Sequence, residues 1–299
     1  MAQQVPLNNG MPAYNPVNDA VRDDGTHQLR EDLAYKRLAI VNVVFYGRPG
    51  AGDRKWVLID TGIAGMSGLI VKAATQRFGP NSKAAAIILT HAHFDHAGNA
   101  ERLSAQWDCP VFAHPLEFPY LNGAASYPPP DPSVGGGMMS LLSPVYPRGP
   151  IDIAERLQAL PEDGDVPFMP DWKWLFTPGH SPGHISLWRA QDKALIAGDA
   201  FITTRQESLY SVLFQKPELH GPPMYFTTDW DQAEISVKVL SELDPRVVVT
   251  GHGEAMRGEP MQEALYILAD RFSQIAIPRR GRYVAKPARL QSDGEYWRR

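Results

Sequence analysis

Apolar positions along the chain fall into short runs divided by polar, breaker-rich stretches, and several of these runs alternate with segments of helical period. Residues 1–30 are polar and rich in Pro, Gly and Asn, with no period of two or 3.6, and read as an irregular arm. Strands are predicted over 37–46 and 55–60, joined by a hairpin-like turn at 47–54. That turn superficially resembles a phosphate-binding loop, but Asp53 stands where the lysine is needed, so a plain turn is expected. A helix is predicted over 67–78, closed by Gly79-Pro80, then a buried strand over 85–90, a helix over 98–107 and a strand over 111–114. Strand and helix in alternation predict an α/β protein.

Periodicity fails over 117–150, which holds 8 Pro and 5 Gly in 34 residues. A structureless stretch of that length inside a domain is usually functional or disordered. Met138, Met139, Leu141, Leu142 and Tyr146 argue for a flap with an apolar underside, since a solvated linker has no use for them. Strands are predicted over 172–177, 184–190 and 193–198, followed by a second apolar and aromatic insertion over 205–228. A helix over 229–243 capped by Asp229, a strand over 246–250 and a last helix over 261–274 complete the periodic part. The organisation expected is an arm (1–30), one domain (31–278) carrying both insertions, and a basic tail (279–299). No internal repeat is present.

Composition narrows the function classes. The chain has 299 residues, 43% apolar and 21% charged, which is ordinary for a globular protein with a sizeable core. Lys+Arg 29 against Asp+Glu 33 gives −4, and the tail alone carries 7 basic and 2 acidic residues, so the remainder is distinctly acidic. That disfavours nucleic acid as a partner. A single cysteine, Cys109, excludes an internal disulfide and a cysteine-rich zinc module, and is expected to be a small buried apolar residue. No apolar run approaches the ~20 residues of a membrane span. Residues 1–10 lack a basic start and an apolar stretch, so a cytoplasmic protein is expected.

One segment concentrates chemistry: Thr90-His91-Ala92-His93-Phe94-Asp95-His96-Ala97-Gly98-Asn99, directly after a predicted buried strand. Imidazole is the commonest protein ligand for zinc-like metals and carboxylate a common companion. At a strand's carboxyl end the chain turns sharply, so His91 and His93 can aim at one point and Asp95 and His96 at a neighbouring one. Three further groups, His180, Asp199 and His252, each follow another predicted strand. Ligands gather outside strand ends in open α/β architectures, so four strand ends each bearing a metal-competent group point to one centre. His27, His114 and His220 read as packing or surface histidines, and His184 as either core or a support for the ligands.

These residues resemble the metallo-β-lactamase superfamily, whose His-x-His-x-Asp-His signature is followed by distant His, Asp and His. Leu58-Ile59-Asp60-Thr61-Gly62 also resembles the family's structural aspartate motif, and the likeness runs from about residue 38 to 257. The resemblance implies a four-layer αββα sandwich with two divalent metal ions along one edge. By that likeness His91, His93 and His180 would hold one ion, Asp95, His96 and His252 a second, with Asp199 between them and Asp60 orienting a ligand loop. Zinc suits such imidazole and carboxylate donors; iron or manganese also fits.

A bound pair of cations would supply a bridging hydroxide near neutral pH that attacks a carbonyl carbon, with Asp95 as the catalytic group moving the proton. The expected activity is hydrolysis of an ester, lactone, thioester or lactam in a partly hydrophobic small molecule. Glyoxalase II enzymes share the extended motif but add a helical domain, for which the 47 residues after His252 leave little room. Lactonases often carry a tyrosine three residues after the bridging aspartate; Ile202 stands there, leaving Tyr210 and Tyr225 as substitutes. The true β-lactamases with a cysteine ligand present it where this chain has Asp199. The alternative is an oxidoreductase resembling persulfide dioxygenases, with a single iron. A nuclease and a non-catalytic binding module are the remaining readings. Substrate, metal and oligomeric state stay open at this level.

Overall fold

The computed structural model describes residues 5–6, 21–214 and 217–289. Most of the expected arm, and residues 290–299 of the expected tail, lie outside the described residues.

Seven strands form the first sheet in chain order: β1 His27–Arg30, β2 Leu33–Leu38, β3 Val41–Tyr46, β4 Val57–Ile59, β5 Ala86–Ile88, β6 Val111–Ala113 and β7 Leu157–Ala159. The first four pair antiparallel and β4 to β7 run parallel. The second sheet contains β8 Lys173–Phe176, β9 Ile185–Arg189, β10 Ala194–Gly198, β11 Val247–Thr250 and β12 Met256–Arg257, with β10 and β11 parallel. Helices α1 Ser67–Phe78, α2 Phe94–Ala97 and α3 Ala100–Trp107 follow strands of the first sheet. Helices α4 Phe118–Leu121, α5 Met138–Leu142 and α6 Leu209–Phe214 lie in the insertions, and α7 Trp230–Glu242, α8 Glu259–Asp270 and α9 Phe272–Ile275 accompany the second sheet.

Side-chain alternation along the strands generates the layers. Val57 and Ile59 of β4 and Ile88 of β5 meet Ile196 of β10 and Val247 and Val249 of β11 between the sheets. Their neighbours Leu58 and Ile87 face the opposite way, onto Ile70, Ala74 and Phe78 of α1 and Leu103 of α3. Leu195 and Val248 turn outward from the second sheet onto Val237 and Leu240 of α7 and Leu265 and Leu268 of α8. A strand buried on both faces gives an uninterrupted apolar run, which is why these strands lack polar alternation. The result is an αββα sandwich.

Three local differences from the sequence reading have physical causes. The run 37–46 holds two segments, because the chain reverses at Ala39-Ile40, with Ala39 at φ +57°, between β2 and β3. No glycine, proline or asparagine marks that turn, so the apolar run hides it. His27–Arg30, inside the stretch read as irregular, adds the edge strand β1. Leu157–Ala159 closes the other edge as β7, too short to show a period. By contrast α1 occupies the expected span, and α7 begins where Asp229 caps it, the carboxylate accepting from Gln232 N at 3.0 Å.

The insertion over 117–150 is folded. Tyr120, Tyr127, Val134 and Met139 are buried, whereas Met138, Leu141 and Leu142 point outward. Part of the tail packs on it: Arg282 Nη1 donates to the carbonyls of Pro129 and Pro130, and Tyr283 Oη to that of Pro129 at 2.6 Å. Among the described residues, no helix is long and apolar enough to cross a membrane.

Candidate metal centre

The carboxyl ends of five strands meet at one edge of the sandwich. Asp60 follows β4, His91 and His93 follow β5, His180 follows β8, Asp199 follows β10 and His252 follows β11. The extended chain at His91 to His93 then enters the single helical turn α2, with His93 at its N-cap, which carries Asp95 and His96. All seven expected groups are buried. Their donor atoms form three overlapping groups, each within 4.8 Å: His91, His93 and His180; His91, His96 and Asp199; Asp95, His96 and His252.

Asp199 is central. Its Oδ2 lies 3.1 Å from His252 Nε2, 3.4 Å from His180 Nε2 and 3.5 Å from His96 Nε2. Asp95 Oδ2 lies 3.5 Å from His252 Nε2. A methyl group at Gly251 would stand 2.0 Å from Asp199 Oδ1 and 2.6 Å from His96 Cε1, so the His252 loop can pass this close only without a side chain there.

The surrounding hydrogen bonds fix the ring tautomers. His96 Nδ1 donates to Asp60 Oδ2 at 2.8 Å and His252 Nδ1 donates to the Ile40 carbonyl at 2.6 Å. Thr90 Oγ1 gives its proton to Asp60 Oδ2, so it accepts from His91 Nδ1 at 3.1 Å. Thr227 Oγ1 gives its proton to the Pro223 carbonyl, so it accepts from His180 Nδ1 at 3.3 Å. Each of these four rings therefore turns its Nε2 inward, the atom a metal would take. His91 Nε2, His96 Nε2 and Asp199 Oδ1 are buried without a hydrogen-bond partner. His93 Nδ1 lies 2.9 Å from His180 Nε2, close enough for both nitrogens to reach one cation. Orphaned donor atoms, inward-facing imidazoles and a central carboxylate fit divalent metal.

Electrostatics divide the rings into two sets. Burial pushes His91 and His93 well below the usual histidine range, reinforced by neighbouring rings, and brings His180 down to about 3. Burial also opposes charge on His96 and His252, but Asp199, with Asp60 beside one ring and Asp95 beside the other, outweighs it and raises both. Burial likewise works against an ionised Asp199, yet His252 and His96 hold its carboxyl well below the carboxylate range. Asp95, dominated by burial, is raised.

The remaining histidines sort cleanly. His184 is buried; its Nδ1 donates to the Thr177 carbonyl and its Nε2 accepts from Asp199 N at 2.8 Å, so it supports the carboxylate's backbone. His27 stacks on Tyr35 and His114 on Phe176. His220 is buried, its Nδ1 donating to the Gly221 carbonyl and its Nε2 3.7 Å from Glu207 Oε2. Cys109 is buried, as expected. Of the two candidate phenols, Tyr210 is exposed and packs on Phe214. Tyr225 is buried, and burial together with the Asp95 and Glu207 carboxylates holds its phenol protonated. Phe94, Tyr146 and Phe226 form an aromatic wall, with Phe226 stacked 4.8 Å from His93.

Sequence reasoning missed Glu117. It has no exposed surface and accepts four hydrogen bonds from both histidine loops and from Tyr127. A buried acid at the start of a Pro-rich stretch carries no periodic or motif signal.

Residues 37–252 match the family model described as the metallo-beta-lactamase superfamily. The chain is 49% identical over 262 residues to the probable metallo-hydrolase YflN of Bacillus subtilis, covering 88% of this chain and 98% of that protein. It is 30% identical over 186 residues to a hydroxyacylglutathione hydrolase of Bdellovibrio bacteriovorus, covering 58% of this chain and 60% of that one. Among solved structures, the subclass B3 metallo-beta-lactamase MEM-A1 from a soil metagenome superposes with a TM-score of 0.56 at 18% identity, over 84% of this chain and 94% of that one, a likeness of fold. Hydrolase relatives do not favour the single-iron oxidoreductase reading. The chain belongs to the metallo-β-lactamase superfamily, among its metallo-hydrolases.

Proposed function

We propose that the chain is a binuclear hydrolase, zinc-dependent by its donor set, that cleaves an ester, lactone, thioester or lactam in a partly hydrophobic small molecule. One observation carries the reading: seven buried donor groups from four strand ends converge, Asp199 among them, with ring hydrogen bonds that turn Nε2 of His91, His96, His180 and His252 inward. His91, His93 and His180 would hold one ion and Asp95, His96 and His252 the other, with Asp199 between them. Bound there, the ions supply Lewis acidity toward a carbonyl oxygen and a hydroxide nucleophile near neutral pH.

The chain's own residues do the rest. Asp60 accepts from Thr90 N, Thr90 Oγ1 and His96 Nδ1, which holds His96 in a single orientation. Asp95, 3.5 Å from His252 Nε2 at the edge of the centre, is placed to take a proton and return it to the leaving group. Tyr225, held protonated, keeps a hydroxyl proton to donate, and so suits an oxygen on which charge develops. Phe94, Tyr146 and Phe226 form an apolar surface next to Asp95 that fits an apolar substrate portion. The hydroxyacylglutathione hydrolase relative keeps thioesters in the substrate set.

The test is elemental analysis of the purified protein together with a panel of ester, lactone, thioester and lactam substrates. Expected are two equivalents of metal and turnover of at least one class; His93→Ala should lose the turnover and the equivalent held at its own corner. Undiminished hydrolysis by metal-free protein sinks the mechanism, and a stoichiometry of one iron revives the oxidoreductase.

A further inference from the structure

Glu117 ends the short turn Pro115–Glu117 after β6 and is completely enclosed. Its Oε2 accepts from Ala92 N at 3.0 Å and from the Tyr127 hydroxyl. Its Oε1 accepts from Ser181 Oγ at 2.8 Å and Gly183 N at 2.7 Å. Ala92 lies between His91 and His93, on the loop leaving the first sheet. Ser181 and Gly183 follow His180, on the loop joining β8 to β9 in the second sheet. One carboxylate thus ties together the two loops that carry His91, His93 and His180. Tyr127 extends the tie: its hydroxyl also accepts from Ala92 N at 3.0 Å, and its ring lies 4.2 Å from that of His93. Phe226, also against the His93 ring, confines it further.

We infer that Glu117, with Tyr127, is the positioning residue that sets the spacing of His93 and His180, and thereby the affinity of the His91/His93/His180 corner for a divalent cation. The inference rests on the proposed metal centre and adds what tunes one half of it. A carboxylate is needed because each of its oxygens faces a backbone N–H, and a backbone N–H cannot reverse into an acceptor. An amide offers one oxygen and one NH2, so Glu117→Gln sets donor against donor on one loop or the other. Burial pushes the Glu117 carboxyl up, and the four donors, which favour the ionised form, oppose that rise. His96 and His252 have other supports, Asp60 and the Ile40 carbonyl, so two of the three groups at the other corner are held without Glu117.

The experiment titrates metal-free full-length protein with Zn2+ against a chromophoric chelator, for wild type, Glu117→Gln, Tyr127→Phe and Ser181→Ala. Supporting-residue losses at metal sites weaken binding about 10–100-fold, so in Glu117→Gln one equivalent should weaken by that factor while the other stays within roughly threefold. Tyr127→Phe, which keeps the ring on His93, and Ser181→Ala, which removes one donor of four, should give smaller losses at the same equivalent. A purely architectural role would instead lower both equivalents together with the melting temperature. Wild-type affinity at both equivalents in Glu117→Gln, or equal weakening of both, overturns the inference. If Glu117→Gln does not fold, Ser181→Ala decides by the same criterion. Wild-type protein that takes up no Zn2+ sinks the metal centre itself, whereas two wild-type equivalents indifferent to Glu117 sink this inference alone.

Discussion

Asn42, at the start of β3, holds the His252 loop from the neighbouring sheet. Its side-chain amide donates to the Thr250 carbonyl at 2.9 Å and the Gly253 carbonyl at 2.6 Å, and its backbone N–H donates to Gly251 O at 2.7 Å. Asn42→Ala removes both side-chain bonds, each with a net contribution of about 1 kcal/mol, and leaves buried carbonyls short of a partner at about 1 kcal/mol more. The expected loss is therefore about 2–3 kcal/mol. With an unfolding entropy of about 2.1 cal/mol/K per residue over 299 residues, that lowers Tm by roughly 4 °C. Asn42→Asp must be worse at neutral pH, because a carboxylate would face two carbonyl oxygens with nothing to donate. Its folded-state pKa is then raised above the unfolded value. The stability it retains is present in full below the unfolded pKa and is lost as pH rises through the folded one. Thermal melts of metal-free protein across acidic to neutral pH measure both effects. A neutral-pH Asn42→Asp protein as stable as Asn42→Ala, or an Asn42→Ala protein melting with wild type, refutes the reasoning.

Three further outcomes are expected. A methyl at Gly179 (φ +131°) would sit 2.3 Å from Ala233 N and 2.5 Å from Ala233 Cα, so Gly179→Ala should destabilise and shift His180; Gly68→Ala, exposed in α1 with nothing within 4 Å, should gain about 0.4–1 kcal/mol, and melts that rank the two alike contradict this. Burial pushes the Cys109 thiol up to about 11, so it stays protonated and unreactive to alkylation in folded protein near pH 8 and labels only on unfolding; rapid native labelling would count against it. Asp60→Asn should weaken zinc binding about 10–100-fold by removing the acceptor that fixes the His96 ring, as read by chelator competition; unchanged affinity would deny Asp60 that role.

What the sequence disclosed follows the range of the forces involved. Val57 to Ile59, Ala86 to Ile88 and Val247 to Thr250 declared themselves as strands because burial on both faces writes an uninterrupted apolar run. The donor groups declared themselves because imidazole and carboxylate crowded at strand ends have few structural uses. Hidden features were those made by partners distant in sequence. The β2–β3 reversal needs no special residue, since Ala39 reaches positive φ within a hairpin fixed by the Leu33 to Tyr46 register. Tyr225 could be proposed as a phenol but not preferred to Tyr210 until burial separated them.

Glu117 is the sharpest instance. Its acceptor oxygens meet donors 10, 25, 64 and 66 residues away. A ligand motif can be compact, since the strand end supplies its geometry, but the groups that hold two such ends apart must come from whatever segment the packing leaves between them. Here that segment opens the Pro-rich insertion, whose far side, through Tyr146, also lies against Phe94 and Phe226. The insertion therefore touches both histidine loops, through Glu117, and the aromatic wall of Phe94 and Phe226. Changes in it that alter substrate preference should alter the affinity of the His91/His93/His180 corner as well, because Tyr127 couples the two through the His93 ring.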